Sequence, residues 1–261
     1  MRGLAAVGLI LLVAGCARPH LQLPVDPGSP LSDAAAIHQA VSAACAPVRT
    51  LTGEFSLAGR TGTQRMRGRV IAGLARPSSI RLEGVAPFGP PVFVLTAGAD
   101  GAVLVLPRDH RVVRAAAAGA ILEAITGLAW EPADLLAVLT GCVESDPVVV
   151  SGLQHRGGWA SLQLRGGSRL WVERVGRGWQ VRAASRDRWR IEYDQWTTTF
   201  PARIAIRSTS DPVVDLVVTV AQSETNMDVD AAAFRAVVPE DAMPMSLDAL
   251  REAGPLGEPA R

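Results

Sequence analysis

The sequence predicts a mainly β (α+β) domain in which a long antiparallel sheet is interrupted by two short helices. From residue 51 onward, turn-forming Gly, Pro and Asp residues recur about every ten residues, which is typical of meandering strands and not of βαβ units. Several segments alternate apolar and polar residues, as in a sheet that packs on one side only. A meandering barrel and a sandwich both satisfy this pattern.

Thirteen segments are candidate strands. In the segment 189–195, Trp189, Ile191 and Tyr193 alternate with charged residues, so one face of the strand is apolar and the other polar. The candidates before the two central helices are 52–60, 65–74, 79–85, 92–97, 102–106 and 111–114. The candidates after them are 148–155, 160–164, 170–175, 180–184, 189–195, 202–208 and 213–221.

The two central helices are expected at 115–126 and 132–140. Each carries an apolar stripe at helical spacing, and Pro132 suits a first helical position. Because the stripes need an apolar surface to cover them, we expect both helices to dock on the inner face of the sheet. The stripes consist of Ile121, Leu122 and Ile125 in the first helix and of Leu135, Leu136 and Leu139 in the second.

The amino-terminal residues are typical of an exported bacterial lipoprotein. Arg2 precedes an apolar run at 4–14, which is too short to span a bilayer and matches the apolar part of a signal peptide. The run ends in Val13-Ala14-Gly15-Cys16, which resembles a lipobox, so cleavage before Cys16 and lipidation of that residue are expected. The alternative is a chance cysteine beside an ordinary cleavage site. Attached acyl chains would hold the protein on a membrane, and Ala17 favours the outer membrane, with the domain facing the periplasm.

The chain divides into four parts on these signals. Asp33 is a capping residue for a first helix that ends near residue 45, and a last helix is expected at 247–252. The four parts are a signal peptide (1–15), a lipidated cysteine with a Pro-rich tether (16–31), the folded domain (32–240) and a carboxy-terminal tail (241–261).

Composition and motifs argue against several classes of function. With 26 basic and 25 acidic residues the net charge is +1, whereas nucleic-acid binding needs a concentrated basic surface. The four histidines are far apart in the sequence, and no metal-ligand spacing, nucleophile elbow, Walker loop or dinucleotide-binding glycine motif is present. We expect no nucleic-acid partner, no metal, no cofactor and no catalytic residue, so the protein is not expected to be an enzyme.

Two features leave alternatives open. Cys45 and Cys142 could form a disulfide in an oxidising periplasm or remain buried free thiols. The segment 85–91, Val-Ala-Pro-Phe-Gly-Pro-Pro, joins two candidate strands and carries an aromatic residue at its tip. Phe88 either folds back onto the core or is presented by a stiff, Pro-flanked loop to a bilayer interface.

The chain resembles the LolA/LolB group of periplasmic lipoprotein-sorting proteins, and the lipidation signal favours the LolB type. Together the matching places extend over roughly residues 50–240. They are Arg76-Pro77 followed by Ile80-Arg81-Leu82, Ala86-Pro87-Phe88-Gly89, the stretch 122–127 with Leu135 and Gly141, and Asp230-Ala-Ala-Ala-Phe234 with Pro239.

The resemblance implies an unclosed antiparallel β-barrel of about eleven strands, with helices lidding an apolar cavity that binds acyl chains. Arg76 corresponds to an arginine that latches the lid, with an ordinary strand-end arginine as the alternative. Pro87, Phe88 and Gly89 correspond to a loop that faces the membrane, in which Phe88 replaces a leucine. The residues expected at the cavity and lid, with plain core packing as the alternative, are Leu82, Phe93, Leu95, Leu104, Leu106, Ile121, Leu122, Ile125, Leu135, Leu136, Leu139, Trp189 and Ile191.

The function implied by the resemblance is that of a monomeric outer-membrane receptor. It would accept acylated lipoproteins from a soluble LolA-like periplasmic carrier and insert them among outer-membrane lipids. Two alternatives remain: a structural or assembly-accessory envelope lipoprotein without lipid cargo, and a carrier of another hydrophobic envelope lipid.

Overall fold

The predicted signal peptide (1–15) and the predicted lipidation site Cys16 lie outside the residues that the structure describes. The residues described by the computed structural model are 21–142, 148–197, 199–208, 210–211 and 213–253. In this part of the chain, fifteen strands form one sheet, and helices pack against its apolar face.

The strands are β1 (Ser29–Pro30), β2 (Thr50–Thr61), β3 (Gln64–Ala75), β4 (Ser79–Val85), β5 (Val94–Gly98), β6 (Gly101–Leu106), β7 (Arg111–Ala115), β8 (Val149–Gln154), β9 (Trp159–Leu164), β10 (Arg169–Val175), β11 (Gly178–Arg186), β12 (Trp189–Trp196), β13 (Pro201–Ser208), β14 (Val214–Thr225) and β15 (Met243–Pro244). The helices are α1 (Ala34–Ala43), α2 (Ala118–Thr126), α3 (Pro132–Thr140) and α4 (Leu247–Glu252). The short 3-10 segments are Arg156–Gly158, Arg165–Gly167 and Ala231–Phe234.

The strand order is β1-β8-β9-β10-β11-β12-β13-β14-β2-β3-β4-β5-β6-β7-β15. The sheet is unclosed because β1 and β15 lie at opposite edges, and its neighbours are antiparallel except for β7 and β15. The pairing of β14 with β2 joins the strands that follow the central helices to those that precede them. The expected count of about eleven strands is therefore too low. The pattern-derived segments correspond to β2–β14, and the remaining two strands have two residues each, too few for any side-chain pattern to reveal.

The register defines the two ends of the sheet. We call the end that carries the turn 62–63, the loop 86–93 and the turn 107–110 the Phe88 end. The opposite end, with turns at 76–78 and 176–177, is called the far end. Every loop near the candidate site can be assigned to one of these ends.

One apolar core extends from the sheet into the helices. The inner face of the sheet supplies fully buried residues such as Leu51, Leu104 and Ile204, and α2 supplies Ile121. Helix α2 contacts β6, β7 and α4, helix α3 contacts β3 and β13, and helix α1 contacts β8 and β11. The outer face carries charged residues, as the alternation in the sequence predicts.

The helix ends follow local sequence signals. Helix α3 begins with Pro132 after a capping box, in which the Glu131 side chain accepts from the backbone of Asp134 and the Asp134 side chain accepts from that of Glu131. Helices α2 and α3 end at Gly127 and Gly141, whose φ angles of 74° and 71° are left-handed and favour glycine.

Both chain ends of the described region pack on the domain. Strand β1 pairs with β8, and Leu31 packs against the core, so this part of the predicted tether (16–31) is held on the sheet edge. Strand β15 pairs with β7, and Leu250 of α4 is 1% exposed. The folded domain therefore continues past the predicted boundary at residue 240, because a short parallel pairing and one helix anchor the predicted tail.

Candidate functional site

The residues predicted to line a cavity and its lid are distributed over the sheet side of the core and over helices α2 and α3. All of them belong to the apolar core or pack against it. The buried ones are Leu95, Leu104, Leu106, Ile121, Leu122, Leu136, Trp189 and Ile191. The half-buried ones are Leu82, Phe93, Ile125, Leu135 and Leu139.

This part of the core is packed closed. Leu95, Leu104 and Ile121 are each 0% exposed, so protein atoms cover them completely. On the sheet side, Phe93 lies over Gly84, where a Cβ atom would be 2.6 Å from the aromatic ring. An acyl chain could reach the inner face at these positions only if α2 and α3 moved away from it.

Helices α2 and α3 form a hairpin whose tip lies at the Phe88 end. The Thr61 hydroxyl, at the end of β2, donates a hydrogen bond to the carbonyl of Thr126 (2.9 Å). The Arg188 guanidinium donates to the carbonyl of Gly127 at 3.3 Å. Trp130, in the connection between the helices, packs edge-on against Trp189 with ring centroids 5.6 Å apart. A few polar contacts and one aromatic contact thus hold the tip on the sheet.

The other end of the hairpin is fixed covalently. Cys142, just after α3, forms a disulfide with Cys45, just after α1, and their Cα atoms are 5.4 Å apart. Gly141 lies so close to Trp196 that an added Cβ atom would be 2.6 Å from its ring. The structure therefore joins the two cysteines for which the sequence left both a disulfide and free thiols open.

The loop 86–93 presents an exposed aromatic side chain. Phe88 is 88% exposed, and its neighbours Pro87 and Gly89 are exposed as well. The Arg108 guanidinium, from the turn between β6 and β7, donates to the carbonyls of Phe88 (2.8 Å) and Pro90 (3.4 Å). Of the two conformations that the sequence left open, the structure has the exposed one. Sequence reasoning missed Arg108, because its partners are backbone carbonyls that leave no side-chain pattern.

Arg76, the predicted latch, lies at the far end. Its Nε donates to the carbonyl of Val48 at 3.0 Å, and its backbone amide donates to the carbonyl of Arg49 at 2.9 Å. Both partners belong to the connection between α1 and β2. The contact to the lid helices that the resemblance implies stays a prediction.

Three titratable side chains of the described residues are buried: His38, Tyr193 and Glu192. Burial lowers the pKa of His38 on α1 and raises the pKa of Tyr193 on β12, because each loses the solvation of its charged form. Glu192 is a buried carboxylate that lies 2.8 Å from Arg207 and 3.2 Å from Arg190.

Across the described ranges, no three His, Cys, Asp or Glu residues are grouped so as to hold a metal ion. No helix described in the structure is long and apolar enough to span a bilayer.

Known proteins are similar to this chain in fold. No protein-family model and no curated protein matches this chain. A LolA superfamily protein from Nitrosomonas europaea is similar in structure, with a TM-score of 0.50 and 10% identity over 78% of this chain and 97% of that one. A DUF1329 family protein from Desulfovibrio piger has a TM-score of 0.51 and 8% identity over 79% of this chain and 98% of that one. The chain therefore has a fold like that of the LolA superfamily, with a large unclosed sheet and helices on its inner face.

Proposed function

We propose that this protein is a lipid-anchored outer-membrane receptor that binds the acyl chains of lipoproteins and releases them into the membrane. The observation that carries the proposal is Phe88, which is 88% exposed on a loop fixed by Arg108. Water disfavours such an exposed aromatic side chain, whereas a bilayer interface favours it. The loop lies at the same end of the sheet as the tip of the α2–α3 hairpin. A soluble LolA-like carrier would supply the lipoproteins, as the sequence resemblance implies.

Acyl binding would replace one set of apolar contacts with another. Six apolar side chains on the hairpin belong to the core or pack against it, three of them buried and three half-buried, and their burial contributes roughly 7–14 kcal/mol. An acyl chain of about 16 carbons gains about 12 kcal/mol on burial, at about 0.8 kcal/mol per methylene. Because the two quantities are similar, an acyl chain could displace the hairpin without a nucleotide. The affinity would depend on chain length and little on the protein part of the cargo.

Release would take place beside the bilayer. Pro87 and Pro90 restrict the backbone around Phe88, so insertion of the aromatic ring costs little conformational entropy. Transfer would run downhill to the membrane because the bilayer buries the whole acyl chain.

The first experiment tests the loop in a strain that depends on this protein. We expect Phe88→Glu to reduce the fraction of lipoproteins recovered in the outer membrane, because a carboxylate is costly at the depth of an inserted side chain. Val237→Glu is a matched control, since Val237 is 89% exposed and lies outside the loop. Normal delivery by both Phe88→Glu and a variant lacking residues 86–91 would contradict the proposal.

The second experiment identifies the cargo. Residues 17–261 retain every residue that the structure describes, and native mass spectrometry of this form from a periplasm would reveal bound acyl species. Lipoprotein acyl chains support the proposal, whereas a glycolipid would identify a carrier of another envelope lipid.

A structural or assembly-accessory role is the second candidate function. The complete burial of Leu95, Leu104 and Ile121 favours it, because an interior filled by the protein's own side chains needs no ligand. Protein that carries no lipid and takes up no acylated peptide from a LolA-like donor would support this role.

A further inference from the structure

We propose that Arg65 and Arg67 form a binding surface for the headgroups of anionic phospholipids beside the Phe88 loop. The inference rests on the proposed function, in which this loop meets a bilayer, and adds the lipid charge that the protein selects. It concerns the outer face of strands β2 and β3, which the acyl-binding proposal does not use.

The arginines lie on one face at the end of a hairpin. Arg65, Arg67 and Arg69 occupy alternate positions on β3, so their side chains leave the same face of the sheet. All three are exposed, and Arg60 of β2 lies directly opposite Arg65 in the register. Like charges at directly opposed positions repel each other, so the fold alone gives no reason for this arrangement.

Arg60, Arg65 and Arg67 form no ion pair among the described residues, and of these three only Arg60 has an acidic residue opposite it. Arg69 pairs with Glu54 at 2.9 Å. Arg60 lies opposite Asp215, whose carboxylate is 3.3 Å from Arg207. For Arg65 and Arg67, the described part of the structure contains no ion pair. Their charges therefore face solvent without neutralisation.

The β2–β3 hairpin projects past the end of β4, next to the Phe88 loop. Val85, the last residue of β4, pairs with Arg69. At about 3.4 Å per residue, Arg67 lies about 7 Å and Arg65 about 14 Å beyond that pair. The chain leaves β4 in the same direction and reaches Phe88 three residues after Val85. A bilayer that accepted the Phe88 ring would bring its headgroups to the level of these arginines.

Guanidinium groups suit this target. Arginine binds phosphate oxygens through two parallel hydrogen bonds and remains charged at any physiological pH. Each basic residue near an anionic surface strengthens membrane binding by about fivefold. Two arginines beside an inserting aromatic ring thus favour anionic over zwitterionic lipid by about 25-fold.

The experiment measures flotation of residues 17–261 with vesicles of phosphatidylcholine alone or with about one-third phosphatidylglycerol. The test variant is Arg65→Glu/Arg67→Glu. The control is Arg156→Glu/Arg177→Glu, which makes the same charge change at two exposed arginines of the far end. We expect the test variant to lose about 25-fold or more in binding to the anionic vesicles, and the control to bind like the wild type. Raising the salt from about 0.1 M to about 1 M should weaken wild-type binding, because the screening length falls from about 10 Å to about 3 Å.

The outcomes separate this inference from the proposed function. Equal wild-type binding to both vesicles, unchanged in Arg65→Glu/Arg67→Glu but lost in Phe88→Glu, would overturn the headgroup surface and keep the membrane-facing loop. Equal losses of binding to the anionic vesicles in the test and control variants would show that only the net charge matters. That result would also overturn the headgroup surface. If the wild type bound neither vesicle, the membrane-facing loop and the headgroup surface would both be refuted.

Discussion

Removal of the Cys45–Cys142 disulfide should destabilise the fold by an amount that the length of the closed loop determines. The two cysteines are 97 positions apart, and a cross-link of that length lowers the entropy of the unfolded chain by an equivalent of about 4.7 kcal/mol at 25 °C. Domains have a total free energy of unfolding of about 5–15 kcal/mol. We therefore expect the reduced protein to lose roughly a third or more of its stability.

The assay is guanidinium unfolding followed by fluorescence of the six tryptophans, with oxidised and reduced wild type compared. Reduced wild type is a better reference than Cys45→Ala/Cys142→Ala, because Cys142 is 7% exposed and its truncation adds a cavity cost. The free energy of unfolding should also fall more steeply with denaturant concentration on reduction, since an unfolded chain without the cross-link exposes more surface. If reduction lowered the free energy of unfolding by less than about 1 kcal/mol and left its slope against denaturant concentration unchanged, the assignment of this stability to loop closure would be refuted.

Three further predictions concern single residues. Burial lowers the pKa of His38 below 6.5, so the folded protein binds a proton on this imidazole less tightly than the unfolded chain does. The stabilisation by neutral His38 is therefore present above pH 6.5 and is lost as the pH falls below that value. The melting temperature of His38→Gln should therefore fall less than that of the wild type between pH 7 and about 5.5. In Gly59→Ala, the new Cβ atom would lie 2.0 Å from the Asp215 carbonyl at a φ of 152°, so we expect a loss of about 3 kcal/mol in chemical denaturation. Gly62→Ala, with a φ of 57° and open space around it, should cost only about 1 kcal/mol; equal losses would contradict the steric argument. Glu192→Ala removes the buried carboxylate that Arg190 and Arg207 share and should lower the free energy of unfolding by about 3 kcal/mol. A loss below about 1 kcal/mol would indicate that solvent and Asp215, which lies 3.3 Å from Arg207, replace the lost carboxylate.

Local signals in the sequence were sufficient for most elements of the fold. Helix α3 has the predicted bounds, 132–140, because Pro132 and Gly141 define its ends by backbone geometry alone. The pairing of β14 with β2 has no such local signal, since it joins strands more than 150 residues apart. Strands β1 and β15 also escaped prediction, because two paired residues leave no alternation to detect.

The candidate site was only partly predictable for the same physical reason. The sequence shows that Phe88 sits between prolines, but not that its loop is hydrogen-bonded by Arg108, which is twenty residues away in the sequence and donates to backbone carbonyls. The sequence also contains the apolar stripes of α2 and α3. The sequence does not show that Thr61 holds the tip of the hairpin, because one hydroxyl bonded to a distant carbonyl has no sequence signature.

The distribution of these contacts sets the direction in which the hairpin would open under the proposed function. At the far end, the disulfide joins the end of α3 to the end of α1, which packs on β8 and β11, so this end of α3 cannot leave α1 without reduction. At the Phe88 end, the tip is held by hydrogen bonds to Thr126 and Gly127, each of which contributes about 1 kcal/mol net, and by the packing of Trp130 on Trp189. A partly exposed ion pair between Asp134 of α3 and Arg186 of β11 (3.3 Å) adds at most about 1 kcal/mol. Opening from the tip, about a hinge near Cys142, therefore breaks the weaker set of contacts. An acyl chain freed in this way would leave the sheet at the end that carries Phe88, so the position of the disulfide favours release toward the membrane and not away from it.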